Sequence, residues 1–299
     1  MSLRALYDVP APAKLNLFLH VVGRRADGYH LLQSVFVLID WADRLHFERR
    51  EDGVLARHDL GPALPDDDLS LRAARALQAA SGTAFGADLH VDKQLPWGAG
   101  LGGGSSDAAS TLLALNRLWG LHWPRDRLLD LAATLGADVP FFVGGRNAFV
   151  EGIGDRLTPL VLPAQRFVVV KPDASLATAG VFASPHLVRD TEPVILAGSL
   201  ASDGASQARA QLEAFVGGFG RNDLQPVAEA RCPELHAVAE WLEGLFGNCR
   251  MTGSGSAMFA RVGTNDRSFE AWPPATLPGP WIARMCRSLD HHPLLGWAG

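Results

Sequence analysis

Pro96-Trp97-Gly98-Ala99-Gly100-Leu101-Gly102-Gly103-Gly104-Ser105-Ser106-Asp107 is the stretch on which the reading of the fold turns. Five glycines fall within seven residues and run straight into a helical pattern, with Ala108, Leu112, Leu115 and Trp119 on one stripe. Glycine amides, unobstructed by Cβ, can converge on an anion while the helix behind them adds its positive end. Ser105, Ser106 and Asp107 are good N-cap residues, and the two hydroxyls can reach a phosphate or a magnesium ion. The segment reads as a phosphate cradle; its structural alternative is a flexible, capped loop.

Upstream, Leu15, Leu17, Leu19 and Val21 alternate with Asn16, Phe18 and His20. That period of two predicts a strand with Lys14 and Asn16 on its other face. A Gly-containing turn over 24–29 and an apolar run over 31–39 predict an antiparallel partner. A Pro/Asp-rich loop over 61–68 leads into helical spacing at Ala73, Leu77 and Ala80 up to Gly82, then a strand over 87–91. Downstream, a helix over 125–135 closes at Gly136, residues 141–162 read as strands with glycine turns, and 167–171 read as a buried strand. Ala/Ser/Gly-rich loops are expected over about 198–207. Leu235, Val238, Leu242 and Leu245 mark a further helix, 257–262 and 282–286 further strands, and His291 and His292 a solvated tail. At 299 residues two domains are expected, divided as 1–165 and 166–299.

Composition narrows the function classes. With 27 basic against 32 acidic residues and a net charge of -5, scattered arginines give no footprint for nucleic acid. No run of about 18 uncharged apolar residues predicts a membrane span, and residues 1–12 lack the apolar core of a signal peptide. Cys232, Cys249 and Cys286 form no C-x-x-C pair and are odd in number, which points to free thiols in a reducing, cytoplasmic setting. Small-molecule chemistry is what remains. Lysine is confined to Lys14, Lys93 and Lys171, so each is a place where a compact ammonium can matter, although codon bias explains the same scarcity.

Which phosphate fold is a matter of what surrounds the glycines. Gly98-x-Gly100-x-x-Gly103 formally satisfies the dinucleotide fingerprint, but the helix is followed by a helix rather than by a strand ending in an acid. A Walker A loop requires Lys and Ser/Thr after the last glycine, and Gly104-Ser105 does not supply them. The H-R-D and D-F-G segments of protein kinases are missing from the sequence.

The glycine segment instead resembles the second motif of the GHMP kinases, the family of galactokinase, homoserine kinase and mevalonate kinase, where it forms the ATP diphosphate loop. Pro12-Ala13-Lys14-Leu15-Asn16-Leu17 and Thr252-Gly253-Ser254-Gly255-Ser256-Ala257 resemble the first and third motifs. Arg25-Ala26-Asp27-Gly28-Tyr29-His30, Leu135-Gly136-Ala137-Asp138-Val139-Pro140-Phe141-Phe142 and Met251-Thr252-Gly253-Ser254-Gly255 resemble the branch whose substrate is a cytidine diphosphate ester of methylerythritol.

The resemblance implies an α+β fold of two domains, the first carrying the glycine loop and the second ferredoxin-like, with the active site in the cleft between them. It implies a kinase using ATP and Mg, with small-molecule substrates and no obligate protein partner. Lys14 and Asp138 correspond to the catalytic pair. Asp68, Lys93, Pro96, Gly98, Gly100, Leu101, Gly102, Gly103, Gly104, Ser105 and Ser106 fall on the ATP side. Relatives usually carry Asn where this chain has Asp68, and a carboxylate accepts but cannot donate as an amide does. Asn16, Tyr29, His30, Asp138, Thr178 and Phe182 fall on the substrate side, with Tyr29, His30 and Phe182 around the cytosine. No magnesium-binding carboxylate is identified. By chemistry alone Lys14 reads as a surface lysine, Asp138 as a helix-end acid, Tyr29 as a turn aromatic and Phe182 as a helix core residue.

Overall fold

Strands β1 (Ala5–Arg24) and β2 (His30–Arg50) pair antiparallel across the turn at 25–29. β2 pairs on its other side with β4 (Gly86–Asp92), which in turn carries β3 (Leu55–Asp59) in parallel. β5 (Ala148–Glu151) and β6 (Arg156–Pro159) complete this six-stranded sheet. A second, antiparallel sheet has the order β10-β7-β9-β8, from β7 (Arg166–Lys171), β8 (Arg250–Met251), β9 (Met258–Val262) and β10 (Ile282–Arg287). The computed structural model describes residues 3–196, 204–263, 272, 274 and 276–298.

The sheets stack face to face between two helical layers. Phe36 and Leu38 of β2 pack into a core with α1 (Leu69–Ser81), α2 (Gly103–Leu118), α3 (Arg125–Ala133) and α4 (Val139–Gly144). Val35, Val37 and Ile39, pointing the other way, meet Phe167, Val169 and Phe259 of the second sheet. Val168, Val170 and Ala260 then face α7 (Gln225–Arg231) and α8 (Pro233–Phe246). Such a middle position removes the polar face that a sheet with one solvated side would keep. β2 is accordingly buried without a break from Gln33 to Ile39.

Several sequence expectations are corrected. The alternation in β1 does not persist, because a bulge between Asn16 and Leu19 puts Phe18 in the same core as Leu15 and Leu17, and sends Leu19 and Val21 to another. Residues 139–144 are helical rather than extended. Pro140 suits a first helical turn, and a six-residue apolar run has too little length to show a period. α2 begins at Gly103, with Gly102 at its N-cap in a left-handed conformation (φ +73°) that a side chain resists, so neither serine nor Asp107 caps it. Residues 204–207 open α6 (Gly204–Gly217); the remainder of that loop expectation, 198–203, lies outside the described residues. Leu245 is exposed on α8. His292 is fully buried: residues 288–298 return from the second sheet to the first helical layer, where Leu294 and Ala298 join the core. The sheets change over between Pro159 and Arg166, but this returning strap crosses the division. Among the described residues no helix is long and apolar enough to cross a membrane.

Candidate active site

Three neighbouring cavities share lining residues. The first, of about 380 Å³, is walled by the glycine run and includes Asp68, Lys93, Pro96, Gly98, Gly100, Leu101, Gly102, Gly103, Gly104 and Ser105. It shares Gly100 and Gly102 with the second, of about 260 Å³, which holds Lys14, Asn16, Asp138, Thr178 and Phe182. The second shares Thr178 and Phe182 with the third, of about 640 Å³, which adds Tyr29 and His30. Together the three cavities are lined by every sequence-predicted site residue except Ser106. That serine is the fourth residue of α2, and helical register turns its hydroxyl inward to donate to the Pro12 carbonyl at 2.7 Å.

The glycine loop is held by the second sheet's own glycine turn. Ser256 N–H donates to the Gly98 carbonyl at 2.9 Å and Ala257 N–H to that of Ala99 at 3.1 Å. Gly100 has φ +71°, and a Cβ there would lie 2.2 Å from the Thr252 carbonyl oxygen. Behind the loop, the amides opening α2 have no partner within the helix and present its positive end to the cavity.

Asp43, Lys93 and Asp107 form a buried cluster at the base of the first cavity. Lys93 Nζ donates to Asp107 Oδ2 at 2.6 Å and to Asp43 Oδ2, while Asp43 Oδ1 accepts the amides of Gln94 and Leu95 at 2.6 and 2.7 Å. Burial pushes the Asp107 carboxyl up to about 8, with the neighbouring Asp43 adding to the rise and Lys93 opposing it. Burial disfavours the charged Lys93 too, but its two carboxylates outweigh that and raise it. Lys93 therefore spends its charge on the fold. Asp68 is similarly engaged: its carboxylate caps α1 through the amides of Ser70 and Leu71 and binds Arg57 at 2.8 Å. Its side chain is thus engaged by protein, and it lines the cavity as part of the wall.

In the second cavity Lys14 Nζ lies 3.9 Å from Asp138 Oδ2, the lysine side chain 4% exposed and the aspartate 32%. Asp138 stands at the N-cap of α4 without making a side-chain cap, so its carboxylate is left to the cavity. Burial lowers Lys14 below the ordinary lysine value, and Asp138 partly opposes this. Phe36 places its ring 4.7 Å from the ammonium. Asn16, expected on the substrate side, lines this cavity and is bound by protein as well: its Oδ1 accepts from Lys14 Nζ (2.6 Å), Gly253 N (2.9 Å) and Thr252 Oγ1 (3.2 Å), and its Nδ2 donates to Ser34 Oγ (2.9 Å). That amide fixes the lysine and ties the first motif to the third. Thr178 Oγ1, at the start of α5 (Thr178–Phe182), lies 2.7 Å from Ser254 Oγ in the wall shared with the third cavity.

In the third cavity His30 and Phe182 face each other with ring centroids 5.0 Å apart, and Tyr29 stands 61% exposed on the turn before β2. Arg189 donates from Nε to His30 Nε2 at 3.0 Å. Burial, then the charges of Arg189 and Arg24, lower the His30 pKa. Asp43 and Arg189 escape a reading by motif, and Asp107 is read there only as an N-cap candidate; the rarity of lysine at Lys93 is the one signal leading to its two carboxyl partners. No group of three or more His, Cys, Asp or Glu side chains among the described residues is arranged to hold a metal ion.

Comparison with known proteins adds a separate line of observation. Residues 68–146 match the GHMP kinases N terminal domain. The chain is 60% identical over 300 residues to the 4-diphosphocytidyl-2-C-methyl-D-erythritol kinase of Methylibium petroleiphilum, covering all of both chains. It is 55% identical over 305 residues to the protein of that name from a Polaromonas species, covering 99% of this chain and 95% of the other. A crystal structure of 4-(cytidine 5′-diphospho)-2C-methyl-D-erythritol kinase superimposes with a TM-score of 0.73 at 36% identity, over 93% of this chain and 98% of that one. The homoserine kinase of Cytophaga hutchinsonii shares the fold at 15% identity, with a TM-score of 0.64 over 97% of this chain and 95% of that one.

Proposed function

The chain belongs to the 4-diphosphocytidyl-2-C-methyl-D-erythritol kinases of the GHMP kinase family, and from that premise we propose how its residues perform the transfer. It is a small-molecule kinase of isoprenoid precursor synthesis by the non-mevalonate route. ATP phosphorylates the 2-hydroxyl of 4-diphosphocytidyl-2-C-methyl-D-erythritol, giving the 2-phosphate and ADP. The observation that carries the assignment of parts is the row of three cavities with shared walls, the glycine loop lining the first, Lys14 and Asp138 the second, and His30 and Phe182 the third.

ATP enters the first cavity, and the amides of the loop and of the α2 N-terminus take its phosphates. The cytidyl end occupies the third cavity between aromatic faces. Its methylerythritol hydroxyl then meets Asp138, which accepts or orients the proton as oxygen attacks the γ-phosphorus. Lys14, held by Asn16, stabilises negative charge on the group in transfer. A loose transition state needs little base strength, so placement of the hydroxyl in line is the larger part of what Asp138 supplies.

Magnesium fits as an ion that arrives with ATP. Lys93 already engages Asp43 and Asp107 near the loop, so the Ser105 hydroxyl is the group that would hold the ion, alongside phosphate oxygens and water. The ion supplies neutralisation of phosphate charge. We place the cleft between the lobes 1–165 and 166–299 and the enzyme in the cytoplasm.

ADP release with Mg-ATP and 4-diphosphocytidyl-2-C-methyl-D-erythritol, run beside homoserine, galactose and mevalonate, tests this reading. Turnover with the cytidyl compound alone is expected. Turnover with another acceptor, or with none while ATP still binds, overturns it.

A further inference from the structure

Arg189 makes four hydrogen bonds to groups around the third cavity, all fixed in direction by the chemistry of the donor. A guanidinium donates and never accepts. His30 Nε2, at 3.0 Å from Arg189 Nε, is therefore the acceptor, and the neutral ring carries its proton on Nδ1. The other arms of the same guanidinium donate to the carbonyls of Leu187 (2.9 Å), Phe182 (3.0 Å) and Ser184 (2.7 Å). One side chain thus holds both the imidazole at the start of β2 and the turn after Phe182, whose ring lies 5.0 Å from that imidazole.

We infer that Arg189 is a positioning residue for base recognition, which locks His30 as a hydrogen-bond donor through Nδ1 and fixes Phe182 opposite it. The inference rests on the cytidyl end occupying this cavity. His30 Nδ1 has no protein partner among the described residues, so it is the ring nitrogen left for a ligand. A donor suits the N3 and O2 acceptors of cytosine and opposes the N3–H of uracil. A histidine free to exchange tautomers would present an acceptor part of the time and lose that distinction. Arg24 at the end of β1 and Asp27 on the turn that follows, with Tyr29 beside them, are the other charged and titratable groups lining the cavity near the ring. Arg24 and Arg189 both oppose protonation of the ring, so it stays in the neutral form that the lock requires.

Long-range proton–nitrogen spectra of the 15N-labelled protein read the tautomer directly, with His30→Gln giving the assignment. Wild-type His30 is expected to show an unprotonated Nε2 and a protonated Nδ1 from pH 8 down to about 6.5, the ordinary histidine value. In Arg189→Gln the two nitrogens should become a mixture and the ring should titrate at higher pH than in wild type. CDP binding should weaken on the order of tenfold, the preference for CDP over UDP should collapse, and ATP affinity should hold. A protonated Nε2 in wild type overturns the inference, and that spectrum decides the tautomer whether or not the variant folds. So does an Arg189→Gln protein with unchanged tautomer, or an unchanged CDP-to-UDP ratio. CDP that fails to bind wild type overturns the substrate reading instead, and leaves the ligand-free spectrum to judge the lock.

Discussion

Asp138 and Lys14 show how far two residues can be specialised by their settings. The aspartate heads a helix but caps nothing, whereas Asp68 heads another and spends its carboxylate on two amides and an arginine. Only the first is available to a hydroxyl. Asp138→Asn keeps size and polarity and removes the proton acceptor, so kcat should fall by ~10²-fold or more while ATP affinity persists. Steady-state kinetics with ATP-binding titration checks this. For Lys14 the sign of the pH effect follows from burial. A lysine held below its ordinary value loses its proton early as pH rises, so kcat/KM should decline on an alkaline limb that begins below about 10.4. The limb should be absent from the residual activity of Lys14→Met, which carries no titrating group at that position.

At the scale of elements, the glycine loop and the turn at 252–256 act as one unit because their backbones touch. In Gly100→Ala the positive φ costs about 1–3 kcal/mol, and the new Cβ would also meet the Thr252 carbonyl at 2.2 Å. Denaturant unfolding should report that loss. Because Gly100 lines two cavities, KM should rise for both substrates. The cluster beneath the loop has an opposite expectation. Asp107 is pushed up to about 8 in the folded protein against roughly 3.9 unfolded, so the folded state binds the extra proton between those values. Stability then falls as pH rises through that window. Asp107→Asn keeps an acceptor for Lys93 and removes the charge; its Tm should exceed wild type at pH 9 by at least about 2 °C, and the gain should vanish near pH 4. Sequence made the loop, α2 and the β1–β2 pair legible because glycine content and short periods are local signals. It misplaced the Ser106 hydroxyl because one residue of helical register decides where a side chain points. It missed α4, where six residues carry too little period. Lys93 reaches across 50 residues to Asp43 and Arg189 across 159 to His30, and no local pattern marks either partnership.

The whole molecule is closed by the strap at 288–298. Leu289 N–H donates to the Leu38 carbonyl at 2.8 Å and His292 N–H to that of Gly145 at 2.8 Å. Arg125 gathers the carbonyls of Val143, Leu295 and Ala298, and the Trp297 ring lies 5.0 Å from the Arg117 guanidinium. Burial, with Arg125 and His291 adding to it, lowers His292 to about 3, well below the roughly 6.5 of an unfolded chain. The unfolded state therefore takes up the proton first as pH falls. Stability contributed by the neutral ring is complete above pH 6.5 and drains away towards pH 3, by up to about 1.4 kcal/mol for each pH unit. Urea unfolding at pH 4–7 should show that slope, and His292→Asn, which keeps an acceptor for the Leu294 amide, should flatten it. The strap also sets an order of events during synthesis. Chain emerges from the ribosome at about 5–20 residues per second, and the first lobe would ordinarily finish folding while the second is still being made. Here Leu294 and Ala298 join the core that holds α4, so that core is complete only once residues up to 298 have been translated. A message interrupted between the two lobes would thus encode a glycine loop without the turn that holds it, on a core still open beside its own aspartate.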